Sequence, residues 1–122
     1  MGLSAGSDLR PTIENARSIH FVGICGTAMA SVAAALKERG IAVSGSDQGI
    51  YPPMSTFLEE RGIAAKPFGE ANLAHKPDLV VIGNAISRGN PEAEFALGQK
   101  LNYCSLPELL KHQFLRGKRS LV

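Results

Sequence analysis

The sequence predicts an α/β domain, three layers α/β/α, built on a mostly parallel sheet of five to six strands. Three observations carry that expectation. Short β-branched runs alternate with amphipathic stretches, as in a parallel sheet covered by helices on both faces. Residues 19–40, IHFVGICGTAMASVAAALKERG, read as strand, glycine turn and helix. The 122 residues, 44% hydrophobic and 20% charged, fit one globular core and exclude a mainly disordered chain.

The elements follow in order. Residues 1–18 are expected to be a poorly ordered leader and residues 19–122 the domain; the leader is mixed in composition, with Gly, Ser, Pro and Asn. Ile19–Ile24 is a short buried strand. In Thr27–Arg39, Met29, Val32, Ala33 and Leu36 keep the spacing of one apolar helix face, and Gly40 supplies the left-handed stop. IAVSGSD, from Ile41, is a second strand running into a turn. YPPMSTFLEERG puts Pro53 where a first helical turn tolerates it and Gly62 just past the end. Ile63–Ala65 is a short third strand, and Leu79–Ile82 a clearly buried fourth. Asn90-Pro91 opens a helix, with Asn90 as cap. Tyr103 marks a fifth strand. Ser105 to Glu108, SLPE, has capping-box spacing, with Leu109, Leu110 and Phe114 as the apolar face that follows and Gly117 as its end. RSLV, at the end, looks like the start of another strand.

Several function classes lose support at once. A formal net charge of +2 is too small to argue for nucleic acid or a membrane as partner. The basic cluster Lys111, His112, Arg116, Lys118 and Arg119 is adequately explained as a solvated helix end. No apolar signal segment opens the chain, so two distant cysteines, Cys25 and Cys104, suggest a reducing cytoplasm rather than a disulfide framework. The longest apolar stretch, Phe21 to Leu36, is interrupted by Gly23, Gly26 and Thr27 and is too short to span a bilayer. His20, His75 and His112 lie on separate elements without paired-ligand spacing, so no metal site is expected; each reads as a surface or core-edge histidine.

The chemistry concentrates in GICGTA, Gly23 to Ala28. A strand that enters a helix through a glycine turn presents backbone N–H donors at a positive helix end, a setting that favours phosphate. A dinucleotide site would carry G-x-G-x-x-G here. Gly23 occupies the first position, but Cys25 and Ala28 occupy the other two, and Gly26 falls between them. Ala is an accepted third residue, whereas Cys25 narrows the space a dinucleotide pyrophosphate needs. Asp47, about 20 residues on, suits a ribose hydroxyl and keeps an NAD(P)-binding oxidoreductase open as an alternative. It could equally be a turn residue bonding its own backbone. A nucleophilic Cys25 at a helix N-terminus is conceivable, but no base is aimed at it, since His20 lies five residues back on the strand.

Three ordered blocks resemble the N-terminal domain of the Mur ligases: GICGT (Gly23 to Thr27), YPPMST (Tyr51 to Thr56) and VIGNAISRGNPE (Val81 to Glu92). Their form is similar to the branch that recycles murein peptides, joining UDP-N-acetylmuramate to L-alanyl-γ-D-glutamyl-meso-diaminopimelate. The UDP-N-acetylmuramate–L-alanine ligase branch is the nearest alternative. The resemblance implies a Rossmann-like sheet that binds the UDP moiety. It implies that Gly23, Ile24, Cys25, Gly26, Thr27, Ala28 and Met29 cradle the diphosphate and that Ser46 and Asp47 contact the nucleotide. It also implies that Asn84, Ala85, Ile86 and Ser87 line the uridine side. No ATP-binding G-x-x-G-K-[ST]-type loop occurs in the 122 residues. The expectation is therefore a domain excised ahead of an ATP-binding central domain. It is inactive alone and binds no cofactor itself. Its partners are UDP-N-acetylmuramate and the central and C-terminal domains, and the parent enzyme uses ATP and Mg. A nucleotide-sensing module without enzymatic activity is the remaining alternative.

Overall fold

A computed structural model of the chain describes residues 15–83, 90–99 and 101–111. Within them the elements are β1 (Ser18–Val22), α1 (Thr27–Glu38), β2 (Ala42–Ser46), α2 (Met54–Glu60), β3 (Ala64–Lys66), a 3-10 turn (Glu70–Leu73), β4 (Leu79–Ile82), α3 (Pro91–Gly98), β5 (Tyr103–Ser105) and α4 (Leu106–Leu110). The five strands pair in parallel in the order β3-β2-β1-β4-β5. This is the α/β arrangement expected from the alternation of the elements. The expected strand at RSLV lies outside the described residues, as do His112, Arg116, Lys118 and Arg119 of the basic cluster.

Alternation along β1 sorts the core into two faces. Ile19 and Phe21 point to one side, opposite Val43 on β2 and Leu79 and Val81 on β4. With Met29, Ala30, Ala33 and Leu36 of α1, Leu58 of α2 and Leu109 of α4 they form the larger apolar cluster. Val22 and Val80 point to the other side, where Leu73 and Ala96 cover them in a smaller cluster. His20 and Ser44 share this second face and face each other across the β1–β2 register.

Helix ends follow local chemistry. Gly40 (φ 90°) and Gly62 (φ 73°) adopt the left-handed conformation directly after α1 and α2. In α1 the Gly40 and Ile41 N–H groups return to Lys37 and Leu36 carbonyls; in α2 those of Gly62 and Ile63 return to Glu59 and Leu58. Closing α2 in this way consumes Ile63, whose side chain is buried, so β3 starts at Ala64 rather than at Ile63. Asn90 caps α3 as expected, its Oδ1 accepting from Glu92 and Ala93 N–H. Ser105 ends β5 and caps α4, its hydroxyl accepting from Glu108 N–H, with no residue between strand and helix.

The fold also takes in residues assigned above to the leader. Ala16 is buried in the larger cluster, and Ser18 opens β1. The Arg17 N–H donates to Asp78 at 2.9 Å, and the Ser18 hydroxyl accepts from Asp78 N–H.

Candidate functional site

Strand order reverses between β1 and β4, and an open α/β sheet leaves a crevice beyond the carboxyl ends of the strands at such a switch point. Gly23 follows β1 and Gly83 follows β4; the Gly83 N–H donates to the Val22 carbonyl at 3.1 Å. A cavity of about 490 Å³ opens there, lined by Gly23, Gly26, Thr27, Ala28, Met29, Asp47 and Gly83, with Leu106, Pro107 and Leu110 as the opposite wall.

The residues of the turn divide by role. Gly23 has φ 94°, which only glycine adopts without strain. Its N–H and that of Ile24 both donate to the Ser46 carbonyl, at 2.8 and 3.0 Å. The Ile24 side chain is fully buried and fills the place a Cβ on Gly45 would need, 2.3 Å away. Cys25 is half-buried against the larger cluster and does not line the cavity, so its side chain leaves the crevice unobstructed. Gly26 precedes α1 with an ordinary φ of −67°. A Cβ there would meet nothing nearer than 3.6 Å, so the fold itself accepts a side chain at a position that lines the cavity. The first intrahelical bond is Ala30 N–H to Gly26 carbonyl, and no side chain caps α1. The N–H groups of Thr27, Ala28 and Met29 are thus those that helix geometry leaves without intrahelical partners.

Asp47 braces this turn from β2. Its Oδ2 accepts from Cys25 N–H at 3.1 Å, and its Oδ1 accepts from Gln48 and Gly49 N–H. It is a turn residue bonding its own backbone and also a wall of the cavity. A carboxylate has about four acceptor sites, and among the described residues Cys25 N–H is the one donor on Oδ2. Ser46 is different: it is fully buried, and its hydroxyl donates to Glu92. It lies beneath the turn, not in the cavity lining. Asn84, Ala85, Ile86 and Ser87 lie outside the described residues.

The sequence reading missed Glu92, and it misplaced His20. Both are buried, at 0% and 2% exposure. Glu92 Oε2 lies 2.5 Å from His20 Nε2 and accepts from the Ser46 hydroxyl at 2.7 Å. Its Oε1 accepts from Asn72 Nδ2 at 2.7 Å and Gly69 N–H at 3.1 Å. Burial pushes the Glu92 carboxyl up, but the bonds from His20, Asn72, Ser46 and Gly69 outweigh it and hold the group below the usual glutamate value. An ionised carboxylate only accepts, so His20 Nε2 carries a proton; Nδ1 meets the Ser44 hydroxyl at 2.7 Å. A second cavity, about 380 Å³, lies on this face against His20, Ser44, Lys66, Asn72 and His75.

Neither thiol is activated. Burial, then the Asp47 charge, raises the Cys25 thiol, opposite to what a helix N-terminus alone would do. Burial, then Glu108, pushes Cys104 up to about 12. Among the described residues no group of three His, Cys, Asp or Glu side chains could hold a metal ion, and no helix is long and apolar enough to cross a membrane.

Comparison with known proteins fits this geometry. A family model described as "Mur ligase family, catalytic domain" matches residues 18–118. A UDP-N-acetylmuramate--L-alanyl-gamma-D-glutamyl-meso-2,6-diaminoheptandioate ligase of Haemophilus influenzae is 48% identical over 84% of this chain and 23% of its own length. The crystal structure of a murein peptide ligase from Psychrobacter arcticus superposes with a TM-score of 0.77 at 46% identity, covering 82% of this chain and 21% of that one. A UDP-N-acetylmuramate--L-alanine ligase of Lactobacillus gasseri is 35% identical over 81% of this chain and 23% of its own length. The chain thus spans less than a quarter of the curated relatives it matches.

Proposed function

Because the chain belongs to the Mur ligase family, we propose that its crevice holds the UDP moiety of UDP-N-acetylmuramate. In this reading it is the N-terminal domain, from about residue 16 onward, of a longer ATP-dependent ligase. That ligase joins the muramate to L-alanyl-γ-D-glutamyl-meso-diaminopimelate in the cytoplasm, during peptidoglycan recycling. The observation that carries the reading is the turn at Gly26: three helix N–H groups without intrahelical partners meet a cavity kept open by a glycine the backbone does not require. Those donors suit a diphosphate. The second acceptor site on Asp47 Oδ2, unfilled among the described residues, suits a hydroxyl or N–H donor of the nucleoside. Asn84, Ala85, Ile86 and Ser87 line the uridine side in the same reading.

In the longer protein ATP would supply the phosphoryl group that activates the muramoyl carboxylate, with magnesium balancing its charge, and residues of that longer protein would bind both. The share of this chain is positional: it fixes the UDP end of the substrate while the tripeptide amine replaces phosphate elsewhere. The L-alanine ligase alternative rests on lower identity, 35% against 48%.

Calorimetric titration with UDP-N-acetylmuramate, UDP and NADH tests the reading. Both uridine ligands should bind and NADH should not. Gly26→Val should abolish uridine binding and leave the thermal unfolding midpoint nearly unchanged. Binding of NADH alone would transfer the chain to the oxidoreductase alternative, and full binding by the Val variant would put the diphosphate elsewhere.

A further inference from the structure

We propose that Glu92 is a positioning residue for the glycine turn, acting through Ser46. The four donors on its carboxylate come from separate places: His20 on β1, Ser46 on β2, and Gly69 and Asn72 at the 3-10 turn. Together they fill all the acceptor capacity that a carboxylate has, and no uncharged side chain offers as much. Anchoring α3 to the sheet does not require this. Apolar side chains replacing Glu92 together with its side-chain partners would pack there without the desolvation that a buried charge suffers. What the carboxylate adds is direction. Its bond to Ser46 Oγ fixes the residue whose carbonyl takes both the Gly23 and Ile24 N–H groups. The next residue, Asp47, takes Cys25 N–H. Three successive N–H groups of the turn are therefore held by two residues at the end of β2, and Glu92 holds the first of those two from below. Glu92 is also the second residue of α3, so one side chain ties the turn after β1 to the element that follows β4.

The test reads the turn in the ligand-free chain and then its affinity; only the second reading rests on the proposed function. Amide hydrogen exchange is measured in wild type, Glu92→Gln, Ser46→Ala and Asn72→Ala. A glutamine has half the acceptor sites and must turn an NH₂ group toward existing donors. Glu92→Gln and Ser46→Ala should each speed exchange at Gly23 and Ile24 by about tenfold more than at Leu36 or Val81, which report global opening. Asn72→Ala removes a bond from the same carboxylate on the other side and should leave the ratio unchanged. UDP affinity should fall about tenfold in the first two variants and not in the third. If Glu92→Gln does not fold, Ser46→Ala against Asn72→Ala gives the same contrast. A uniform rise in exchange, or equal effects from the Ser46 and Asn72 variants, would overturn the proposal. A turn that loosens in Glu92→Gln and Ser46→Ala, when the wild-type chain binds no uridine ligand, would sustain the proposal and reject the function instead.

Discussion

The two faces of the central sheet are built on different principles. On one face Ile19, Phe21, Val43, Leu79 and Val81 meet helix α1 through apolar atoms alone. On the other, the same strands contribute Val22 and Val80 beside a buried polar group of His20, Ser46 and Glu92, with half-buried Ser44 against His20. Every buried side-chain nitrogen and oxygen among the described residues has a partner. The apolar face draws its free energy from area removed from water, which is insensitive to direction. The polar face gains little net free energy from being buried but is strict about geometry. The contrast assigns stability to one side of β1 and alignment of the crevice to the other.

Breaking the contrast calls first for Phe21→Ala. Phe21 is fully buried at the centre of the apolar face, and the truncation should cost about 4 kcal/mol in denaturant unfolding without selectively loosening the glycine turn. His20→Ala, one residue away on the opposite face, should cost about 2 kcal/mol, since Glu92 keeps three of its four donors. Equal losses from the two variants would end the division between faces.

The smallest effect is that of pH, and it sharpens the comparison. Glu92 titrates below its ordinary value of 4.5 in the folded chain. Its contribution is therefore complete above that ordinary value and is lost as pH falls through the lower folded one. The stability gap between wild type and Glu92→Gln, followed by denaturant titration from pH 7 to pH 3, should narrow on the acid side. The gap between wild type and Phe21→Ala should stay nearly constant. A wild-type to Gln gap that widens with acid would mean the carboxylate is not the ionised acceptor described.

Much of the apolar face was legible in the residues. The i, i+3, i+4, i+7 spacing of α1, the β-branched run of β4, the Asn90 cap and the Ser105 box each depend on neighbours a few positions apart. Local chemistry decides them, and the structure agrees. The polar face depends on partners far apart in sequence: His20 and Glu92 are separated by 72 positions and Ser46 and Glu92 by 46. Periodicity shows that position 20 is buried but not what answers its imidazole, so a core-edge histidine was the natural expectation. For Ser46 only the resemblance suggested a role, a contact with the nucleotide; its buried bond to Glu92 depends on that distant partner and was not legible. The glycine turn into a helix start at Gly23–Met29 was legible from the residues. That Ile24 and Cys25 turn their side chains from the crevice was not, because that depends on the packing against Gly45 and the larger cluster.

The direct junction of β5 and α4 has a mechanical consequence. Ser105 pairs with Ile82 in the sheet and caps the helix that supplies Leu106, Pro107 and Leu110 to the crevice. A wall joined to its foundation without a linker has no hinge. To swing α4 outward, the chain would first have to unzip the last rung of β5 or give up the cap. The apolar wall is thus a fixed jaw, and whatever adjusts around a guest must do so on the side of the glycine turn, where Ser46, Asp47 and Glu92 set the resting position.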